Sequence, residues 1–171
     1  MLKAAGLVGL VISLGLYGIL KSREMKQRIT LQRDFWQMML QLKSEIQYLH
    51  EPLQNVLQQK KGDTESRAFR LLFAVQQKLA AEQAGLQRAW EESVKTVYAG
   101  TPLTTQDIEV FCYPGTFLGQ TDCENQQKQF EYLQNRLQSQ IQEAEEAYRT
   151  KGPLLRRIGF FAGGLIAIVL L

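Results

Sequence analysis

The sequence predicts an all-α protein: an antiparallel cytoplasmic bundle of about six helices, flanked by N- and C-terminal transmembrane helices. Three observations predict it. Both ends are nearly pure hydrocarbon, while the middle is polar and rich in glutamine. That middle is full of Gln, Glu, Leu, Ala, Lys and Arg, which favour helix, and no stretch alternates through β-branched residues as a strand would. Two long segments repeat apolar residues every three or four positions, the spacing of a coiled-coil seam. With 171 residues, 45% hydrophobic and 22% charged, the chain suits one domain between two membrane segments.

The first element is Met1–Leu20, MLKAAGLVGLVISLGLYGIL, whose one charge is Lys3. A bilayer core of roughly 30 Å takes about 20 apolar residues as a helix. A cleaved signal peptide is the rival reading. Against it stand the single lysine ahead of the apolar run and the absence of a small-residue cleavage site before KSREMKQR. The last element, residues 154–171, contains IGFFAGGLIAIVLL without a charge. It makes a thin span if Arg156 and Arg157 snorkel to the headgroups. A buried core helix is the alternative there, but nothing in the segment is suited to face water. Small residues recur at four-residue steps, Ala5, Gly9 and Ser13 in one span and Gly159, Gly163 and Ala167 in the other. Such faces let membrane helices approach closely.

Charge follows the same division. Residues 21–153 carry 17 Lys/Arg and 17 Asp/Glu, so the net +3 is the sum of Lys3, Arg156 and Arg157. No basic stripe with interleaved aromatics is present, which argues against nucleic acid as a partner. Lys21, Arg23, Lys26 and Arg28 follow the first span, and Arg149, Lys151, Arg156 and Arg157 lead into the second. Lys/Arg excess marks the cytoplasmic face. The expectation is a cell-membrane protein with residues 21–153 cytoplasmic and both termini on the far side.

Within the cytoplasmic part, a first helix runs from Lys21 to Leu49, continuous with the span. Its seam is Phe35, Met39, Leu42, Ile46 and Leu49, widened by Trp36 and Leu40, and Pro52 ends it. A short helix, Leu53 to Lys60, and a turn at Lys61-Gly62-Asp63 follow. A third helix opens at Thr64 or Ser66 and reaches Gln83, with Phe69, Leu72, Phe73, Val75, Gln76 and Leu79 on or near one face. Gly85 divides it from a fourth, Leu86 to Val97. After a loop over Tyr98–Pro102, Thr104 opens a fifth, with Asp107 as the acidic member of a capping box. Thr121 and Glu124 form a second capping box ahead of the longest helix. Its seam is Phe130, Leu133, Leu137, Ile141, Ala144 and Tyr148.

Catalytic chemistry is hard to find. Neither GxxxxGK[ST] nor GxGxxG occurs. His50 is the sole histidine, at a helix end with no nucleophile beside it, and Cys112 and Cys123 match no metal spacing. The expectation is a non-enzyme with no cofactor and no metal. Glu143, Glu145 and Glu146 read as a solvated outer face, with an acidic docking strip as the alternative. The stretch LGQTDCENQQKQF, Leu118 to Phe130, carries more polar groups than a helix cap needs. Its surplus amides suit a buried polar network or a protein contact.

LGQTDCENQQKQF, together with SEIQYLHEPL at Ser44–Leu53, AWEESV at Ala89–Val94 and the glycine-containing apolar tail, resembles the stage III sporulation protein AB family of endospore-forming bacteria. The resemblance spans essentially the whole chain in order. Two departures are Cys123, where it leads one to expect a charged residue, and CYPGTFLG, whose Pro114 interrupts a helix expected to run through. The resemblance implies a platform or adaptor subunit of the channel joining mother cell and forespore, in the mother-cell membrane facing the forespore. It also implies a bundle similar to the inner-membrane platform protein of type II secretion and type IV pilus machines. The implied partners are the sporulation ATPase (stage III sporulation protein AA) and other channel subunits, with a homo-oligomer allowed. Gly119, Gln120, Asp122, Asn125 and Gln126 are the expected contact patch. The competing expectation is a two-span regulator or sensor whose bundle binds a small ligand.

Overall fold

The computed structural model describes residues 2–48, 66–81, 85–119 and 123–169, with side chains described for all of these except 2–12, 14, 47, 48, 123 and 156–169. Among them are six helices and no strand: α1 (Leu2–Tyr48), α2 (Arg67–Ala80), α3 (Leu86–Val97), α4 (Thr105–Cys112), α5 (Pro114–Phe117) and α6 (Cys123–Val169). The all-α expectation holds. Leu49, His50, Pro52, the short helix at 53–60 and the turn at 61–63 lie outside the described residues.

The chain divides into two compact units, Thr30–Ile141 and, separately, Met1–Ile29 with Gln142–Leu171. Residues 30–141 hold the main core. Both long seams face it: Phe35, Met39 and Leu42 of α1 and Phe130, Leu133 and Leu137 of α6 are buried. Each fully buried large side chain of this kind contributes roughly 1.5–3 kcal/mol. Seam arithmetic errs at its edges. Leu40 and Phe73, expected on apolar faces, are 37% and 46% exposed, whereas Leu31, Met38 and Leu71 are buried. A position two steps of about 100° from the seam centre has already turned toward solvent.

α4 connects the two long helices. Gln32 Nε2 donates to Asp107 Oδ1 at 2.8 Å. One turn further along both helices, Phe35 stacks on Phe111 with centroids 3.9 Å apart. α4 therefore runs parallel to α1. On α6, Gln140 Nε2 reaches the Gln106 carbonyl at 3.4 Å and the Tyr113 hydroxyl bonds Gln129, so here the order reverses. α1 and α6 are accordingly antiparallel. The expected capping box at α4 is complete: Asp107 N–H donates to Thr104 Oγ1 at 3.2 Å and Thr104 N–H to Asp107 Oδ2 at 2.8 Å. What the sequence did not reveal is that Asp107 is fully buried.

α2 and α3 form an antiparallel hairpin. Ser66 caps α2, accepting from Ala68 N–H at 3.2 Å. α2 stops at Ala80, short of the expected Gln83, because Ala81 leaves the helix while its N–H bonds back to Gln77. Arg67 Nη1 donates to the Val97 carbonyl at 3.0 Å, and Lys78 pairs with Glu92 at 2.8 Å. Lys78 and, next, Arg88 hold the Glu92 carboxyl down to about 2. The Trp90 indole, fully buried, donates to the Phe111 carbonyl at 2.8 Å and ties α3 to α4.

Pro114 does interrupt the helix it lies in. α4 ends at Cys112, and a single turn, α5, follows with Pro114 in its first turn. Gly115 is the residue that lets α5 approach α3: a Cβ there would lie 2.9 Å from Trp90 Cβ and 3.3 Å from the Gln87 carbonyl oxygen. Pro153 behaves differently. It lies inside α6 and does not end it, so proline is no boundary there. It lacks an N–H, which removes the bond to the Arg149 carbonyl.

In the other unit, Gly15, Gly18, Ser22 and Ile29 of α1 and Ala144 and Gly152 of α6 are buried. A Cβ on Gly152 would sit 3.0 Å from the Tyr148 ring and 3.5 Å from Ser22 Oγ, so small residues permit a close helix approach. On its surface Leu16, Tyr17, Leu20 and Leu154 are half or more exposed. Among the described residues no helix is long and apolar enough to cross a membrane. The most apolar parts of both expected spans, 1–12 and 156–171, lie outside the described side chains.

Gly115→Ala tests the α3–α5 contact. Alanine is ordinarily the better helix residue, but the clash here meets the root of the Trp90 side chain, which moves only with its backbone. The expected outcome is a loss of about 1–3 kcal/mol, read from the urea unfolding midpoint of the full chain.

Candidate functional site

The polar stretch that the sequence singled out divides into outward and inward residues. Leu118 is buried, and its N–H bonds the Pro114 carbonyl at 3.0 Å. The chain then turns at Gly119, which is exposed with φ 70°, the left-handed region where a Cβ costs about 1 kcal/mol or more. Gln120, Thr121 and Asp122 lie outside the described residues, and with them the expected capping box. At the start of α6 the outward side chains pair along their own helix: Lys128 with Glu124 at 2.9 Å and Gln127 with Glu131 at 3.1 Å. Asn125 is exposed. Gln126 is not, at 7%. It stands four residues before Phe130 and extends the seam, so within this chain it is a core residue.

The expected membrane-packing residues divide too. Ala5, Gly9, Gly159 and Gly163 lie outside the described side chains. Ser13 is exposed; Gly15, about 200° round the helix from it, begins the buried small-residue face instead.

No group of His, Cys, Asp and Glu that could hold a metal occurs among the described residues. Cys112 is half-buried, and burial, then Glu91, pushes its thiol up. An open depression of about 350 Å³ at the start of α3, lined by Gly85 to Arg88 and Glu91, is a surface dent rather than an enclosing ligand pocket. Glu143 and Glu146 are exposed, as expected, and Glu145 is half-buried.

A second surface feature escaped the sequence reading. Asn125, Gln129, Tyr132 and Arg136 step by four, three and four along one side of α6. Tyr113 lies against Tyr132, centroids 5.4 Å apart, and is backed by Phe117 at 5.5 Å. Arg136 Nη1 donates to the Tyr132 hydroxyl at 3.0 Å. The available signal was a tyrosine and an arginine one turn apart on the side that begins with Asn125.

These features define an all-α helical bundle. The chain belongs to the stage III sporulation protein AB family, whose profile matches residues 3–171. It is 28% identical over 171 residues, all of both chains, to "Stage III sporulation protein AB" of Bacillus subtilis (strain 168). It is also similar to the solved structure titled "Stage III sporulation protein AB (SpoIIIAB)", with a TM-score of 0.63 and 28% identity over 72% of this chain and 97% of that one.

The inward placement of Gln126 has a direct test. Gln126→Lys puts a charge into the seam and is expected to cost about 2 kcal/mol or more, whereas Asn125→Lys costs less than about 1 kcal/mol. Paired urea melts of the two variants read the difference.

Proposed function

We propose that this sporulation-family protein is a non-enzymatic membrane platform of the mother cell–forespore channel. In this reading two membrane helices, 1–20 and 154–171, anchor a cytoplasmic bundle. The bundle docks a secretion-type ATPase, the stage III sporulation protein AA expected from the family, and other channel subunits. The observation that carries the membrane part is the exposed set Leu16, Tyr17, Leu20 and Leu154. These side chains belong to the two segments whose remaining residues are almost pure hydrocarbon, and a tyrosine among them suits the headgroup boundary. The basic residues from Lys21 onward and from Arg149 onward favour a cytoplasmic bundle.

Docking is supported by the full-length family match and by the exposed positions Gly119 and Asn125 at one end of α6. Asp122→Ala with Asn125→Ala is expected to reduce ATPase pull-down about tenfold while helicity by circular dichroism stays intact. Loss of both together would assign the stretch to folding alone. For the membrane part, a reporter active only outside the cytoplasm is expected to work when fused after Leu171, and an inactive fusion counts against the orientation.

A further inference from the structure

We infer that the ridge Asn125, Gln129, Tyr132 and Arg136 on α6, with Tyr113 beside it, docks a carboxylate-bearing segment of a partner protein. The first ground is charge. Some cations are matched to carboxylates: Lys21 to Glu24, Lys78 and Arg88 to Glu92, Lys128 to Glu124. Arg23, Arg70, Lys95, Arg149 and Lys151 are exposed without an ion pair among the described residues. Arg136 differs from these five in standing beside a packed pair of tyrosines. Arg136 has a hydroxyl and no carboxylate: its bond goes to Tyr132, and among the described residues it forms no ion pair. Glu109, on the exposed side of α4, does not reach it either. A guanidinium left with three or more free N–H donors is complementary to a carboxylate, which it takes in a two-pronged bond.

The second ground is preorganisation. Tyr132 is 49% exposed, a large aromatic surface left to water, yet it is held on both sides. The Tyr113 ring packs on it and in turn packs on Phe117, which meets the buried Phe130 edge-on at 5.1 Å. Gln129 anchors the Tyr113 hydroxyl. Arginine and tyrosine already fixed in place lose little freedom on binding, and these two residue types dominate the centres of protein interfaces. One cation among neutral amides and phenols does not fit the phosphate row of a nucleic acid. It fits a side-chain acid.

The ridge starts at Asn125 and so continues the contact patch proposed above. For the identity of the partner the inference rests on that reading, but its test does not. In sporulating cells, the full chain carries p-benzoylphenylalanine in place of Tyr132, and the crosslinked peptide is identified by mass spectrometry. The expected product is an Asp- or Glu-containing segment of another protein. Arg136→Glu should lower the yield about tenfold or more, and Arg136→Lys should lower it much less, with circular dichroism unchanged in both. The inference is overturned by any of four outcomes. These are a yield no higher than from the same group at Glu131, crosslinks to lipid or to another copy of this chain, a partner peptide without acidic residues, or indifference to Arg136→Glu. An acidic peptide from a protein other than the ATPase supports the ridge and removes the ATPase reading. A non-acidic ATPase peptide does the reverse.

Discussion

The buried contact between Gln32 and Asp107 sets the arrangement of the bundle. Asp107 is fully enclosed, and its carboxylate accepts from the Gln32 amide and from the Thr104 N–H. A buried carboxylate without donors is costly, so few placements of α4 satisfy it. The placement it selects puts Phe111 flat against Phe35 and offers the Phe111 carbonyl to the Trp90 indole. Through Trp90 the α2–α3 hairpin acquires its position, and through Tyr113 and Gln129 so does α6. Apolar packing supplies most of the stabilisation, but it tolerates sliding. The polar contact does not, because displacing Asp107 would leave its buried carboxylate without the Gln32 donor.

Much of this fold is legible in the sequence, and the exceptions have physical reasons. The caps at Ser66, Gly85 and Thr104 are local, involving groups within a few residues, and each lies where the residue types put it. The two seams are legible because period alone identifies them. Asp107 as an inter-helix tie is not legible, because its partner lies 75 residues away and amides carry no periodic signature. The burial of Gln126 is hard to read for a related reason: counting apolar residues stops a seam at Phe130, although the stepping continues inward to a glutamine. At the other end the same stepping runs past Tyr148 to Gly152.

The candidate surface was only partly legible. Gly119 and Asn125 are exposed, as a crowd of polar residues around them leads one to expect. Tyr132 and Arg136 look like ordinary helix residues until α4 and α5 bring Tyr113 and Phe117 alongside. A docking ridge assembled by tertiary contact has no linear motif. The same holds for Gly115, whose value is set by Trp90, twenty-five positions earlier in the chain and reachable only after α5 has turned back.

The separation of Gln32 from Asp107 also orders events during synthesis. α1 leaves the ribosome first, with Phe35, Met39 and Leu42 uncovered, and Phe111, which stacks on Phe35, is translated 76 residues later. The α2–α3 hairpin, closed by contacts 14 to 30 residues apart, completes itself in the meantime. A nascent chain thus carries a sticky stripe for much of its elongation, and its safety from aggregation depends on what shields that stripe until α4 arrives.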